Sequence, residues 1–343
     1  MLKRLRHFFF QEIPVAGRPP RLPDLDAARG LAIILVVIGH IISKGEIPAR
    51  NQWFVIVMQM IYQFHMPFFM VLAGITFALS LPAFRSVGEI GTYSLKRIKP
   101  LIIPFVALGL LVLVGKQIAM HFTHVSNPPG AFASSVVDLL FDPTESAARF
   151  LWFIYVLAIY LILVPPLFYV FGRRAVLLLG LGAALQFFDW PEELAIRAAV
   201  EYLPFFALGM VLWIYRPSWS PVGRWTFWAS AIVFVGLLIL SVYRPLPRWL
   251  TGAASVLPLI GLVQHVPNQA QSFLGYLGRN SLAIYLFNVL VLGFVKETLF
   301  HVLSWDGFNF FFYFPVLVVA GVGVPLAIKA ASVKWTPRVA KFI

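Results

Sequence analysis

Ten long apolar runs follow one another along the chain, near residues 27–43, 53–80, 100–120, 150–171, 174–189, 199–215, 225–243, 249–266, 281–303 and 309–331. A helix needs about 20 mostly apolar residues to cross a bilayer, so each run is read as one span. The chain has 343 residues, 60% of them hydrophobic and 12% charged. An ordinary soluble domain is about 45–50% apolar and about 25% charged. So much apolar surface does not fit inside a single water-facing core. The expectation is an all-α, polytopic integral membrane protein with about ten transmembrane helices. The fifth and sixth runs are the weakest, because they are short and flank the polar segment Asp189–Glu193. Cysteine is absent, which excludes disulfides, thiol catalysis and thiolate metal sites. No metal is expected.

A net charge of +13 would suggest nucleic acid in a soluble protein. Here its distribution gives another meaning. With the N-terminus inside, the inner segments hold 18 of the 27 Lys and Arg residues, the outer segments hold 8, and Arg29 lies in the first span. Ten of the 14 acids fall outside. Lys and Arg concentrate on the cytoplasmic side of membrane proteins. Both termini are therefore expected in the cytoplasm, and no nucleic-acid partner is expected. Residues 1–24 form a basic N-terminal segment that does not resemble a cleavable signal peptide. Residues 25–332 form the transmembrane domain, and 333–343 a cytoplasmic tail. The largest outer loop, near 121–149, is expected to cover an outward-facing site.

Ionisable residues at membrane depth are costly and are functional candidates by default. Arg29 and His40 are eleven steps apart, which at about 100° per step is about 20° beyond three full turns. They share a helix face and stand about 16 Å apart along the axis. Asp26 is within pairing reach of Arg29. Arg29 is either part of a site or an interfacial residue that snorkels and pairs with Asp26. In the second span, His65 lies near the kink expected at Pro67, beside Tyr62 and Gln63. It either faces the same cavity as His40 or bonds a carbonyl exposed by the kink. Lys96, Arg97 and Lys99 follow at the inner interface, as a topology anchor or as a binding cluster for a phosphorylated cofactor.

Several stretches together resemble the acyltransferase family 3 membrane proteins. DLDAARGLAIILVVIGH at 24–40 resembles their opening signature. FHMPFFMVLAG at 64–74 resembles their second-helix signature, especially in the fucose O-acetylase-like branch. KRIKPLIIPF, LWFIYVLAIYL, EYLPFFALG and LGRNSLAIYLFNVLV follow in the family's order. The resemblance covers about 24–330. It implies transfer of an acyl group, usually acetyl, from a cytoplasmic coenzyme A thioester to a hydroxyl of a sugar or glycan. The family's Arg–ten residues–His motif falls on Arg29 and His40. There are departures. Lys96 and Lys99 stand where a pair of arginines is frequent, and Lys lacks the bidentate fork of Arg. Ala73 precedes Gly74 where Ser is frequent, and Asn288 occupies a common histidine position.

On this resemblance Arg29, Lys96, Arg97 and Lys99 are expected to bind the phosphates of acyl-CoA, with the thin pantetheine arm reaching toward His40. His40 is expected to act as general base or as a covalent acyl relay, because an imidazole titrates near neutral pH. His65 and Glu201 are further catalytic candidates, Glu201 as an orienting acid or a ligand for a sugar hydroxyl. Trp152, Tyr155 and Asn288 are candidates for substrate binding, and Trp53 for stacking on a sugar. Asn280 and Ser281 are expected to cap the ninth span. The expected partners are membrane lipid and a cell-surface or lipid-linked carbohydrate, and the expected location is a bacterial inner membrane. A secondary transporter or flippase is the rival class, since intramembrane His and Arg with kinking prolines suit it too. No matching interrupted helices are evident in the two halves, as inverted repeats would require.

Overall fold

The structure is a computed structural model that describes residues 22–42, 51–82, 84, 86–122, 125, 127–215, 222–304, 307–336 and 342. Twelve α-helices account for most of them, with three short 3-10 turns and no strand among the described residues. In chain order they are α1 Pro23–Gly39, α2 Gln52–Leu79, α3 Val87–Ala119, α4 Phe132–Phe141, α5 Trp152–Val170, α6 Ala175–Leu185, α7 Ile196–Tyr215, α8 Arg224–Tyr243, α9 Arg248–His265, α10 Asn268–Arg279, α11 Ser281–Phe300 and α12 Phe310–Trp335. Seven helical stretches, containing α2, α3, α5, α7, α8, α11 and α12, are long and apolar enough to cross a membrane by length and composition. The other three expected spans correspond to α1, α6 and α9. Of these, α6 is short and apolar, and α1 has only 17 residues.

Three boundaries differ from the sequence expectation, each for a local reason. The basic segment before residue 100 is helical, so α3 is a single helix of 33 residues. Ser86 starts it as the N-cap, its hydroxyl accepting from the backbone N–H of Glu89 at 3.4 Å. The stretch between the eighth and ninth apolar runs forms a further helix, α10. The first span does not continue to residue 43 as helix: α1 ends at Gly39, and His40 is its C-cap at φ −101°, ψ 0°. Asn280 does occupy the N-cap of α11, but its side chain makes no cap bond there. It instead donates to the carbonyl of Tyr276 at 2.8 Å, closing the preceding helix.

The contacts divide the chain into two units. One holds the described residues of Gly74–Pro217 together with Phe342, which include the end of α2 and all of α3–α7. The other holds those of Pro20–Ala73 and Ser218–Lys341, which include α1, most of α2 and α8–α12.

In the first unit, small residues let elements approach closely. A methyl built on Gly74 would collide with the carbonyl of Phe206 on α7, and one on Gly182 would press on Pro204 at 3.0 Å. Leu139 of α4 sits over Gly109 of α3. Around these lie the rings of Phe77, Phe206 and Tyr160, with centroids 5.3 and 4.7 Å apart in succession. The described residues of the expected outer loop carry a helix and a set of hydrogen bonds. It contains α4, and Lys116 donates to the carbonyls of Asn127 and Ala147 at 2.9 Å each. Asn127 adopts a positive φ of 51° and donates to Ser146, the left-handed conformation that an asparagine tolerates.

In the second unit, α1 is surrounded by α9, α10, α11 and α12. Val37 of α1 and Leu292 of α11 both rest on Gly321 of α12. Asn51 ties the start of α2 to the turn before α12: it donates to the carbonyl of Gly307 at 3.2 Å and accepts from its N–H at 2.8 Å. Most of α8 presents an exposed apolar face, including Trp228, Ile232, Val233 and Ile239. An apolar helix whose side chains are unburied by protein has the character of a lipid-facing span.

Candidate functional site

Helix α1 carries the chemistry at both of its ends. Asp24 and Asp26 lie in its first turn, where the helix dipole favours negative charge. Asp24 is held from two sides, accepting from Gln264 of α9 at 2.8 Å and from Gln271 of α10 at 2.9 Å. Asp26 lies 3.7 Å from Arg29 through one carboxylate oxygen and 3.7 Å from Arg279 through the other. The structure thus contains the Asp26–Arg29 pairing expected from their spacing. It adds Arg279, from the last turn of α10, where the dipole favours a cation.

These charges sit at a close crossing of two backbones. A methyl on Gly30 would collide with the carbonyl of Leu274, and one on Gly278 with the carbonyl of Asp26. Only glycine allows α1 and α10 to approach so closely, and this approach brings Arg279 to Asp26.

At the other end of α1, His40 Nδ1 lies 2.7 Å from the carbonyl oxygen of Val36. A carbonyl only accepts, so Nδ1 carries the proton, and in the neutral ring the lone pair lies on Nε2. His65 follows the same rule on α2, with Nδ1 2.8 Å from the carbonyl of Ile61. It is buried at 2% exposure. Its Nε2 and the Tyr62 hydroxyl each lie 4.0 Å from where a methyl on Gly39 would stand, so both face the residue next to His40. Tyr62 donates to the carbonyl of Gly39 at 2.7 Å and sets its ring edge-on to His65 at 5.0 Å. His40, His65 and Tyr62 are therefore brought together around the end of α1.

The carbonyl that Pro67 leaves without a donor on its own helix is not the partner of His65. Pro67 has no N–H to give to Gln63, four residues earlier. The hydroxyl of the fully buried Thr251, on α9, lies 3.2 Å from that Gln63 carbonyl. It also lies 3.3 Å from the carbonyl of Arg248 on its own helix. His65 is thus held by its own helix, while α9 reaches the carbonyl that Pro67 leaves open.

Asn288 lies on α11 at 1% exposure. Its Nδ2 donates to the carbonyls of Ile284 and Tyr285, both at 2.8 Å. Its Oδ1 has no hydrogen-bond partner among the described residues. Lys296, counted above with the outer segments, lies within α11 and is buried. Trp53 is engaged by aromatic neighbours: it stacks on Phe311 at 6.0 Å and meets Phe54 and Phe310 edge-on.

The remaining candidates belong to the other unit. On α3, Lys96 and Lys99 are exposed. Arg97 lies over the ring of Tyr93 at 5.2 Å and reaches the Ser80 carbonyl at 3.5 Å. On α5, Trp152 packs on Tyr202 at 5.1 Å. The Tyr155 hydroxyl donates to the carbonyl of Leu140 on α4 at 3.0 Å. Glu201 is half-buried on α7. Arg279, Thr251 and Lys296 are the residues that the sequence reading did not single out. For Arg279 a signal was present, in the glycines at 275 and 278 just before a cation.

Three comparisons bear on this arrangement. A family model described as an acyltransferase domain, of the acyltransferase 3 type, matches residues 22–330. The nodulation protein NolL of Mesorhizobium japonicum is 27% identical over 239 residues, which covers 68% of this chain and 58% of that protein. No solved structure matches.

Proposed function

Since the chain belongs to the acyltransferase 3 family, we propose that it is a membrane-bound O-acyltransferase, with His40 at the reacting centre. The donor would be a cytoplasmic acyl-CoA, in the first instance acetyl-CoA, and the acceptor a hydroxyl of a cell-surface or lipid-linked carbohydrate. The observation that carries this reading is the fixed tautomer of His40. With Nδ1–H committed to Val36, Nε2 bears the lone pair that general-base or nucleophilic catalysis requires.

In direct transfer, Nε2 takes the proton of the acceptor hydroxyl as its oxygen attacks the thioester carbonyl. The carbon–sulfur bond breaks, and the proton passes from the imidazolium to the departing thiolate. In the relay, Nε2 itself attacks, the carbon–sulfur bond breaks and the thiolate leaves an acyl-imidazolium; the hydroxyl then attacks that carbonyl, the carbon–nitrogen bond breaks, and the hydroxyl proton passes to the thiolate. The same tautomer serves both. His65 and Tyr62 border the centre, His65 with the same lone-pair placement. For the donor's nucleotide end we assign Arg29 on α1 and, as a second group, Lys96, Arg97 and Lys99 on α3. Glu201, Trp152, Tyr155 and Asn288 stay candidates for orienting or binding the acceptor. The proposed location is a bacterial inner membrane, with both termini cytoplasmic.

The test uses the purified chain in nanodiscs with radiolabelled acetyl-CoA and a glycan extract. Wild type is expected to transfer label, and His40→Ala and His40→Gln to lose about 10²–10⁴-fold in turnover with unchanged thermal melting. A well-folded variant with full transfer would remove His40 from the mechanism. No turnover or binding of any short acyl-CoA by wild type would favour a transporter instead.

A further inference from the structure

Two helices start from one polar corner and end on neighbouring residues of a third. At the corner, Asp24 of α1 accepts from Gln264 of α9 at 2.8 Å and from Gln271 of α10 at 2.9 Å, one at each carboxylate oxygen. At the far end of α1, the carbonyl of Gly39 accepts from Tyr62 of α2 at 2.7 Å. At the far end of α9, the Thr251 hydroxyl lies 3.2 Å from the carbonyl of Gln63, the next residue of α2. From Asp24 to Gly39 α1 rises about 22 Å, and from Gln264 to Thr251 α9 rises about 20 Å, at about 1.5 Å per residue. The two struts are matched in length, and the three ties close a triangle of α1, α2 and α9. His40 and His65 stand beside its far side, one just past Gly39 and the other just past Gln63.

The corner calls for a carboxylate. Gln264 takes the backbone N–H of Val222, just before α8, on its Oε1 at 2.8 Å, so its amide N–H group must face α1. Gln271 also turns its Nε2 toward the carbonyl of Val263, at 3.2 Å. Both glutamines thus bring donors, and Asp24 supplies an acceptor oxygen to each. Between its ends the buried face of α1 is small or apolar, with Ala28, Ala32, Ile33 and Val36, and apolar contact is non-directional. The pairs of Asp26 with Arg29 and Arg279 lie at the same end, but at 3.7 Å, beyond the usual N–H···O distance of about 2.7–3.2 Å. The bonds of Asp24 are the short polar ties there.

We propose that Asp24 is a positioning residue for the His40–His65 pair: with Gln264 it sets the height of α1 against α9, and that height decides how the end of α1 meets α2. Asp24 acts through the two helices, from the opposite end of each. That the pair takes part in acyl transfer rests on the reading above. That the corner places the two rings does not.

The experiment reads ring environment and turnover separately. The full chain in nanodiscs, labelled at the histidine nitrogens, gives ring signals that His40→Gln and His65→Gln assign. Asp24→Asn brings an N–H against a glutamine N–H, and Gln264→Glu brings a carboxylate against Asp24. Each is expected to move the signals of His40 and His65. Each should also lower turnover of acetyl-CoA with a glycan extract about 10–10²-fold, the cost of a small misplacement made far from the chemistry, with the apparent KM for acetyl-CoA kept within about twofold. Asp24→Asn combined with Gln264→Glu reverses the polarity of the bond and leaves Val222 and Gln271 satisfied, so signals and turnover should both return toward wild type. The proposal is overturned if a folded single variant leaves both signals unmoved, whether or not its melting temperature or turnover falls, since that is the mark of a merely local bond. It is overturned too if the double variant is as impaired as the single ones. Moved signals in a chain whose wild type transfers no acyl group would uphold the positioning and remove the acyltransferase reading instead. Should Asp24→Asn not fold, Asp24→Glu decides the matter: it keeps both oxygens, lengthens the tie by one methylene, and must move the His40 signal.

Discussion

Each unit contains a crossing where a glycine meets a backbone carbonyl, and the two crossings are used differently. At Gly74, α2 presses on the Phe206 carbonyl among Phe77, Phe206 and Tyr160. Nothing ionic accompanies that contact among the described residues. At Gly30, α1 presses on the Leu274 carbonyl, and Asp26, Arg29 and Arg279 meet beside it. Close backbone packing is a general means of joining helices in membranes, where small residues let them approach. The first crossing serves cohesion. The second also fixes the positions of charges that flexible side chains alone would not hold.

Substitutions can break this comparison. Gly30→Ala and Gly74→Ala both drive a methyl into a carbonyl, and overpacking of this kind costs about 1–3 kcal/mol or more. Both should lower the melting temperature in micelles. They should part in ligand response: on the donor role proposed for Arg29, acetyl-CoA should still protect Gly74→Ala from heat and should fail to protect Gly30→Ala. Equal protection of both would show that the charged crossing does not depend on its glycine.

Thr251→Val tests the support that α9 gives to α2 at Pro67. It leaves the Gln63 carbonyl without the hydroxyl that now reaches it, a loss of about 1–3 kcal/mol. Thr251→Ser should restore the melting temperature, and ring nitrogen shifts of His65 in labelled protein should change with Val and return with Ser. Unchanged shifts in the Val variant would separate the Gln63 carbonyl from the histidine. The smallest effect is expected from Tyr155→Phe in the first unit. It loses one bond to Leu140, worth about 1 kcal/mol, and should speed proteolysis near α4 while leaving acetyl-CoA binding unchanged.

Much of the helical architecture was legible in the sequence because long apolar runs have few other outcomes in a bilayer. The paired placement of Asp26 and Arg29 was legible too, since both lie on one helix at a spacing of three. Helix α10 was not, because NQAQSFLGYLGR is too polar to register as an apolar run. Its helical character shows only when Leu274, Leu277 and the two glycines are seen on one face against α1. The start of α3 was available in the Ser86–Glu89 spacing, a recognised capping signal, but a scan for apolar segments passes over it. The Thr251–Gln63 contact spans 188 residues. Nothing in the local pattern of either residue announces the other.

Asn288 has a consequence for selectivity. Its amide nitrogen is committed to two carbonyls, so the group cannot turn over, and the atom left without a partner among the described residues is the oxygen. A histidine at this place would exchange donor and acceptor character by moving one proton. The asparagine does not adapt in this way. In the acceptor-binding role proposed for it, it would stabilise a molecule that brings a hydroxyl or an amide N–H and repel one that brings only a lone pair, so recognition there would work in one direction only.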